Sequence, residues 1–283
     1  MLLPMTEHPW RIDDLDPSAY LRVVGLTARD PGLDALSELH EAHVRTFPFE
    51  NFDVLLGNHP GVSLSAVQEK FVGKRRGGYC FEHGTIFSAV LERLGYDVRR
   101  HLGRVGDATR APRTHFVVEV TLDGQRYLCD PGFGMSLLHP IPMEDGAEVD
   151  DGWRYRLRRV ETAASGPVWE MQRLREEGWE LMHTTDELPV HPVDVVMGHH
   201  FTSTAPVSHF THGLILTRHL DGRHVTVTHE TVTLRRPGQP TEHRPLREGE
   251  LRDLLVELET TLPAADADRL MQRFAPNPAT APA

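Results

Sequence analysis

The sequence predicts an α+β fold in three parts. A helical bundle is expected over residues 1–97, an antiparallel β-barrel or sandwich over 98–198, and a mixed α/β unit over 199–283. Three observations predict it. Apolar residues recur at helical spacing as far as Gly95. From Asp97 the pattern changes to short segments separated by Gly, Pro, Asp or Glu clusters. After His199 both patterns return.

In the first part, residues 15–24 and 33–44 read as helices, the second through Leu33, Leu36, Leu39 and Val44. Asp30-Pro31-Gly32 supplies the turn between them. Pro48, within Phe47-Pro48-Phe49-Glu50-Asn51-Phe52, breaks the helical pattern. A third helix is expected after Ser63 or Ser65, through Ala66, Val67, Phe71 and Val72. A fourth begins near Cys80, carries Phe87, Val90, Leu91 and Leu94 on one face, and closes at Gly95. Strands follow at 98–102, 115–122, 125–129, 153–157, 168–174 and 180–184. The third part adds strands at 213–218, 224–229 and 230–235 and helices at 251–261 and 264–274. The tail from Phe274, with three prolines and four alanines, is expected to fray.

Composition narrows the function classes. A chain of 283 residues, 39% hydrophobic and 25% charged, is ordinary for a soluble globular protein. A net charge of −11 argues against nonspecific nucleic-acid binding. No apolar run approaches the roughly 18 residues needed to cross a bilayer. The segment Met1 to His8 lacks the basic and apolar regions of a secretory signal. Two cysteines build no disulfide framework, so a cytoplasmic protein with reduced thiols is expected.

One of those cysteines stands in a chemically active setting. In Arg75-Arg76-Gly77-Gly78-Tyr79-Cys80-Phe81-Glu82-His83-Gly84, it follows a Gly-Gly pair and opens a helix. Helix N-termini favour anions, and the thiolate is the nucleophilic form of cysteine. Eighteen histidines offer too many partners for sequence proximity to choose between them. Strand geometry chooses instead. Asp123-Gly124 is a strong two-residue hairpin turn between 115–122 and 125–129. Counting back from it pairs Val118 with Cys129 and Val117 with Asp130. His115 and Val117 share a face, so His115 and Asp130 become diagonal neighbours about 7–8 Å apart. Cys129 faces the other way. A Cys80–His115–Asp130 triad then has its chemical logic: the carboxylate fixes the imidazole, and the imidazole activates the thiol.

These blocks resemble the arylamine N-acetyltransferases. Arg76-Gly77-Gly78-Tyr79-Cys80-Phe81-Glu82-His83 is similar to that family's nucleophile motif, and Pro48-Phe49-Glu50-Asn51 to its upstream signature. Asp130-Pro131-Gly132-Phe133-Gly134 is similar to its Asp-Val-Gly-Phe-Gly, and His199-His200-Phe201-Thr202-Ser203-Thr204 to its later Thr-Ser segment. The blocks run in family order, and the likeness extends from Tyr20 to Arg218. The resemblance implies a helical bundle, a β-barrel and an α/β lid, and a triad mapping to Cys80, His115 and Asp130. It implies ping-pong transfer of acetyl from acetyl-CoA, a co-substrate, to an aromatic amine, hydrazine or N-hydroxyarylamine, with no permanently bound cofactor and no metal. Phe49, Phe133 and Phe201 match acceptor-pocket positions, though each could equally be plain core. Thr114 and Gly132, beside the triad, are expected to line the CoA cleft. Lys74, Arg75 and Arg76 could attract its phosphates or simply form a solvated face. Two departures stand out: Gly84 where the family has Asn, and Pro131 where it has Val.

Three other functions fit parts of the sequence. A macrolactam-forming amide synthase would use the same triad. Cys80-x-x-His83 with His199 and His200 could be drawn as a zinc cluster. A binding protein could retain a relic site.

Overall fold

Asp16 starts the first helix by accepting the Ala19 amide, and Gly25, at φ 77°, ends it, giving α1 (Pro17–Val24). The computed structural model describes residues 8–106, 108–162 and 166–274. The expectations for the first seven residues and for the tail beyond Phe274 lie outside the described residues. α2 (Leu33–Thr46) follows the expected turn, and Pro48 ends the helical run. The chain then forms a short strand, β1 (Phe49–Glu50), and one helical turn and more, α3 (Phe52–Leu56), neither of which its brief apolar run announced. α4 (Leu64–Gln68) is capped by Ser63 and runs into a π turn, Glu69–Gly73, that carries Phe71 and Val72. α5 (Cys80–Arg93) completes the bundle, packing Phe87, Val90 and Leu91 against Leu36, Leu39, Val67 and Phe71.

The barrel strands are β2 (Asp97–Val105), β3 (His115–Leu122), β4 (Gln125–Cys129), β5 (Ile141–Pro142), β6 (Glu148–Asp150), β7 (Arg154–Thr162), β8 (Gly166–Arg175) and β9 (Gly178–Thr185). They form one antiparallel sheet in the order β5-β4-β3-β2-β9-β8-β7-β6. β5 approaches β6 and β7, which leaves the barrel nearly closed. β5 and β6 were too short to carry a readable alternation.

Beyond the barrel come α6 (Pro192–Thr204), β10 (Ile215–Leu220), β11 (Arg223–Thr228), β12 (Thr231–Arg235), β13 (Glu242–Pro245), α7 (Glu250–Glu257) and α8 (Ala264–Arg273). α6 was not expected. It starts at Pro192 and holds Asp194 on the His191 amide, both good N-terminal signals. It runs through the anticipated division at 198/199, so that division falls inside a helix rather than at a linker. The second sheet, β1-β10-β11-β12-β13, borrows its first strand from residues 49–50. α7 stops short of residue 261 because Glu259 turns left-handed, at φ 50°. α7 and α8 bury Leu254, Leu255, Leu258 and Leu270 against Leu214, Leu216, Val225 and Val227 of the sheet.

The β3–β4 hairpin has the expected register. Asp123 and Gly124 take φ values of 50° and 81°, the turn geometry that matches strand twist, and Val118 pairs with Cys129. Cys129 accordingly points into the helical core, fully buried beside Val118 and Val120. Burial pushes its thiol pKa up, away from reactivity.

Gly84 is explained by packing. A Cβ at this position would lie 2.6 Å from Cγ of Phe116, whose ring is wholly buried against the first turns of α5. The expected outcome for Gly84→Asn is a loss of about 1–3 kcal/mol of stability by overpacking, read as a lower thermal midpoint. An unchanged midpoint would show that Phe116 moves aside freely.

Candidate active site

Cys80 is positioned by a loop held from below. Cys80 is the first residue of α5, where the unpaired amides of a helix start favour an anion. Before it, Pro48 and Gly78 run side by side: the Gly78 amide donates to the Pro48 carbonyl, and the Glu50 amide donates to the Gly78 carbonyl. A Cβ on Gly77 would overlap the Pro48 carbonyl oxygen, so only glycine permits this approach.

Beneath the loop lies a buried ionic cluster. Lys70 Nζ lies 2.9 Å from Glu82 and 2.8 Å from Asp53. Arg76 donates to Glu50 at 2.6 Å and to Asp53 at 2.8 Å. Glu82 also accepts the Tyr79 amide at 3.2 Å, capping α5 one residue before the cysteine. Burial alone would raise the Glu82 pKa, but Lys70, with His59 Nε2 3.4 Å away, brings it down to about 2. Arg76 is therefore a structural cation, not a phosphate-attracting one; Lys74 and Arg75 are exposed.

The thiol meets the hairpin directly. Cys80 Sγ lies 3.4 Å from the carbonyl of Thr114, the residue before His115. His115 opens β3, and its Nε2 lies 3.0 Å from both carboxylate oxygens of Asp130. The other ring nitrogen is left for the thiol. All three side chains are at least 96% buried. Burial alone would lower the His115 pKa, but the charge and hydrogen bond of Asp130, with a smaller contribution from Cys80, push it up to about 10. Burial would likewise raise Asp130, yet His115 holds it well below the usual carboxylate range. The pair thus favours imidazolium and carboxylate, the state that stabilises a thiolate.

One residue of this network escaped the sequence. His183 on β9 donates from Nε2 to Asp130 at 3.1 Å, while its Nδ1 lies 3.2 Å from the Thr185 hydroxyl. Burial keeps it neutral by lowering its pKa. Its arrival depends on β9 pairing β2, a long-range contact with no local signal. The strand alternation around residue 183 was the only hint, and it did not separate His183 from seventeen other histidines.

The remaining expected residues divide. Phe133 sets its ring edge on His115, with centroids 5.2 Å apart, and Phe49 shares a buried cluster with Cys80, Tyr79 and Phe81. Phe201 is on α6 and 39% exposed. Phe210, unforeseen, packs on both Phe49 and Tyr79. α6 comes close because Gly198 sits on Phe81: a Cβ there would lie 2.7 Å from the ring. Gly132 packs on Cys80, where a Cβ would lie 3.0 Å from the Cys80 Cα. The drawn zinc cluster is not assembled. His83 Nδ1 is bonded to His43, and its Nε2 to the Pro48 carbonyl. His199 Nδ1 is bonded to the Tyr79 hydroxyl. Among the described residues, the group with metal-ligand spacing is instead His115, Asp130 and His183, where both imidazoles are engaged with the carboxylate.

A helix-borne cysteine facing a His–Asp pair on an antiparallel barrel defines a protein of the Cys–His–Asp class. The N-acetyltransferase family model matches residues 32–260. The chain is 37% identical to the Escherichia coli arylamine N-acetyltransferase over 220 residues, 76% of each protein. It is similar in structure to the Mycobacterium abscessus arylamine N-acetyltransferase, with a TM-score of 0.91, 33% identity and coverage of 97% of this chain and all of that one. The Mycobacterium marinum enzyme in complex with CoA gives a TM-score of 0.82 at 32% identity, covering 92% of this chain and 98% of that one. The chain belongs to the arylamine N-acetyltransferases, and it is an acyltransferase. The amide-synthase alternative gains no support from these relatives.

His183→Leu removes a hydrogen bond to a buried charge, an interaction of about 1.5–3 kcal/mol. The expected outcome is a fall in kcat/KM of about tenfold or more, with His183→Gln, which can still donate, retaining more. A change below twofold in His183→Leu would reduce His183 to a space-filling residue.

Proposed function

We propose that the protein transfers acetyl groups from acetyl-CoA to arylamines, hydrazines or N-hydroxyarylamines through a thioester on Cys80. The observation that carries this reading is Cys80 at the start of α5 beside the His115–Asp130 pair, its sulfur 3.4 Å from the carbonyl of the residue that precedes His115. In the first half-reaction the Cys80 thiolate attacks the acetyl carbonyl of acetyl-CoA. The C–S bond to CoA breaks, and His115 gives its proton to the departing thiolate. In the second half, the amine attacks acetyl-Cys80, His115 takes the amine proton, and the thiolate returns. Asp130 stays ionised throughout and holds the imidazole in place.

Phe133 and Phe49 supply flat apolar walls suited to an aromatic acceptor, and Phe201 extends that surface along α6. Thr114 and Gly132 flank the thiol and would border the path of the CoA thioester. The reading places the enzyme in the cytoplasm, in keeping with two free cysteines. No helix among the described residues is long and apolar enough to cross a membrane.

Release of CoA from acetyl-CoA should rise when an arylamine or hydrazine is added. Cys80→Ala should abolish that release while leaving the thermal midpoint close to that of the wild type. Arylamine-dependent release by a folded Cys80→Ala variant would overturn the mechanism.

A further inference from the structure

Away from the triad, a cleft of about 1200 Å³ opens between the far end of the barrel and the second sheet. Its walls include Trp153, Arg173, Arg175 and Trp179 from the barrel and Arg235 from β12. The acidic residues Asp150, Glu176 and Glu177 also border it, but on its exposed rim.

The inner end of this cleft has too few anions. Arg173 is only 7% exposed, and its Nε has no hydrogen-bond partner among the described residues. One of its terminal nitrogens rests on the Met135 sulfur, a weak acceptor. The other shares a single oxygen of Glu180 with Arg175, at 2.9 and 2.7 Å. Arg235 has no carboxylate partner among the described residues. Its recorded hydrogen bond is to the Thr226 hydroxyl at 3.3 Å, and its Nε is buried without a partner. Three guanidinium groups therefore face one carboxylate. Burial, then repulsion from Arg175 and Arg173, lowers the Arg235 pKa to about 10. The neighbouring cations need no further anion: Arg154 is paired with Glu148, and Arg236 with Glu242.

A buried cation without a counter-charge is costly, and guanidinium groups match phosphate oxygens in pairs. We propose that Arg173, Arg175 and Arg235 form a binding site for a phosphate dianion in this cleft. An anion there would complete the charge balance and tie β8 to β12, joining the barrel to the second sheet. Trp153 and Trp179 give the cleft an aromatic lining suited to a phosphate ester with a flat organic group. The phosphate could arrive free or as part of a larger molecule, including the phosphates of the acyl donor.

Calorimetric titration with inorganic phosphate tests the site without reference to acetyl transfer. Saturable binding to the wild type is expected, with at least tenfold weaker binding to Arg235→Gln, a variant that loses no ion pair and should fold normally. Phosphate should also raise the thermal midpoint of the wild type more than sodium chloride at equal ionic strength. Competition distinguishes the sources: CoA displaces phosphate if the donor's phosphate uses the cleft, and leaves it bound if the site serves a separate ligand. Equal phosphate binding by Arg235→Gln, or no binding by the wild type, would overturn the proposal.

Discussion

The buried charge of Asp130 is the constraint around which the structure is arranged. A carboxylate removed from water is costly unless it is paired and hydrogen-bonded. Here three strands and the turn that follows them meet to satisfy it. β3 brings His115, β9 brings His183, and the end of β4 brings the carboxylate itself. One oxygen serves both imidazoles. β9 must join the sheet beside β2 to bring His183 in, so satisfying this one charge links the hairpin to the global topology. The same charge sets the state of His115.

Cys80 is held beside that pair by a second buried set of charges. Lys70 and Arg76 gather Glu50, Asp53 and Glu82 beneath the loop that precedes α5. Such clusters contribute little net stability when compared with an apolar core of the same shape, but breaking one leaves a buried charge alone. Their effect here is positional. Glu82 caps the helix start, the Pro48–Gly78 pairing fixes the loop, and Gly132 and Thr114 close in on Cys80. The first residues of the second sheet, Phe49 and Glu50, belong to both the ionic cluster and the apolar wall.

Much of this was legible in the sequence because it is local. Asp123-Gly124 set the hairpin register, and register alone put His115 with Asp130 and turned Cys129 into the helical core. Capping and periodicity placed α1, α2 and α5 to within a few residues. What stayed hidden depends on distant contacts. His183 is useful only because β9 pairs β2, about eighty residues earlier in the chain. Arg76 looked like part of a basic run, but folding buried it against carboxylates more than twenty residues away. α6, apolar on nearly every side, showed no helical stripe to read. Gly84 read as a departure from the family, whereas the fold makes it the space that Phe116 fills.

Trapping the acyl-enzyme tests the central claim most directly. The protein would be incubated with acetyl-CoA and no acceptor, then analysed by intact mass and peptide mapping. The account predicts one acetyl group, carried on the peptide containing Cys80, absent when His115 is replaced, and discharged on addition of an arylamine. An acetyl group on another residue, or none under conditions where an arylamine is acetylated, would contradict it.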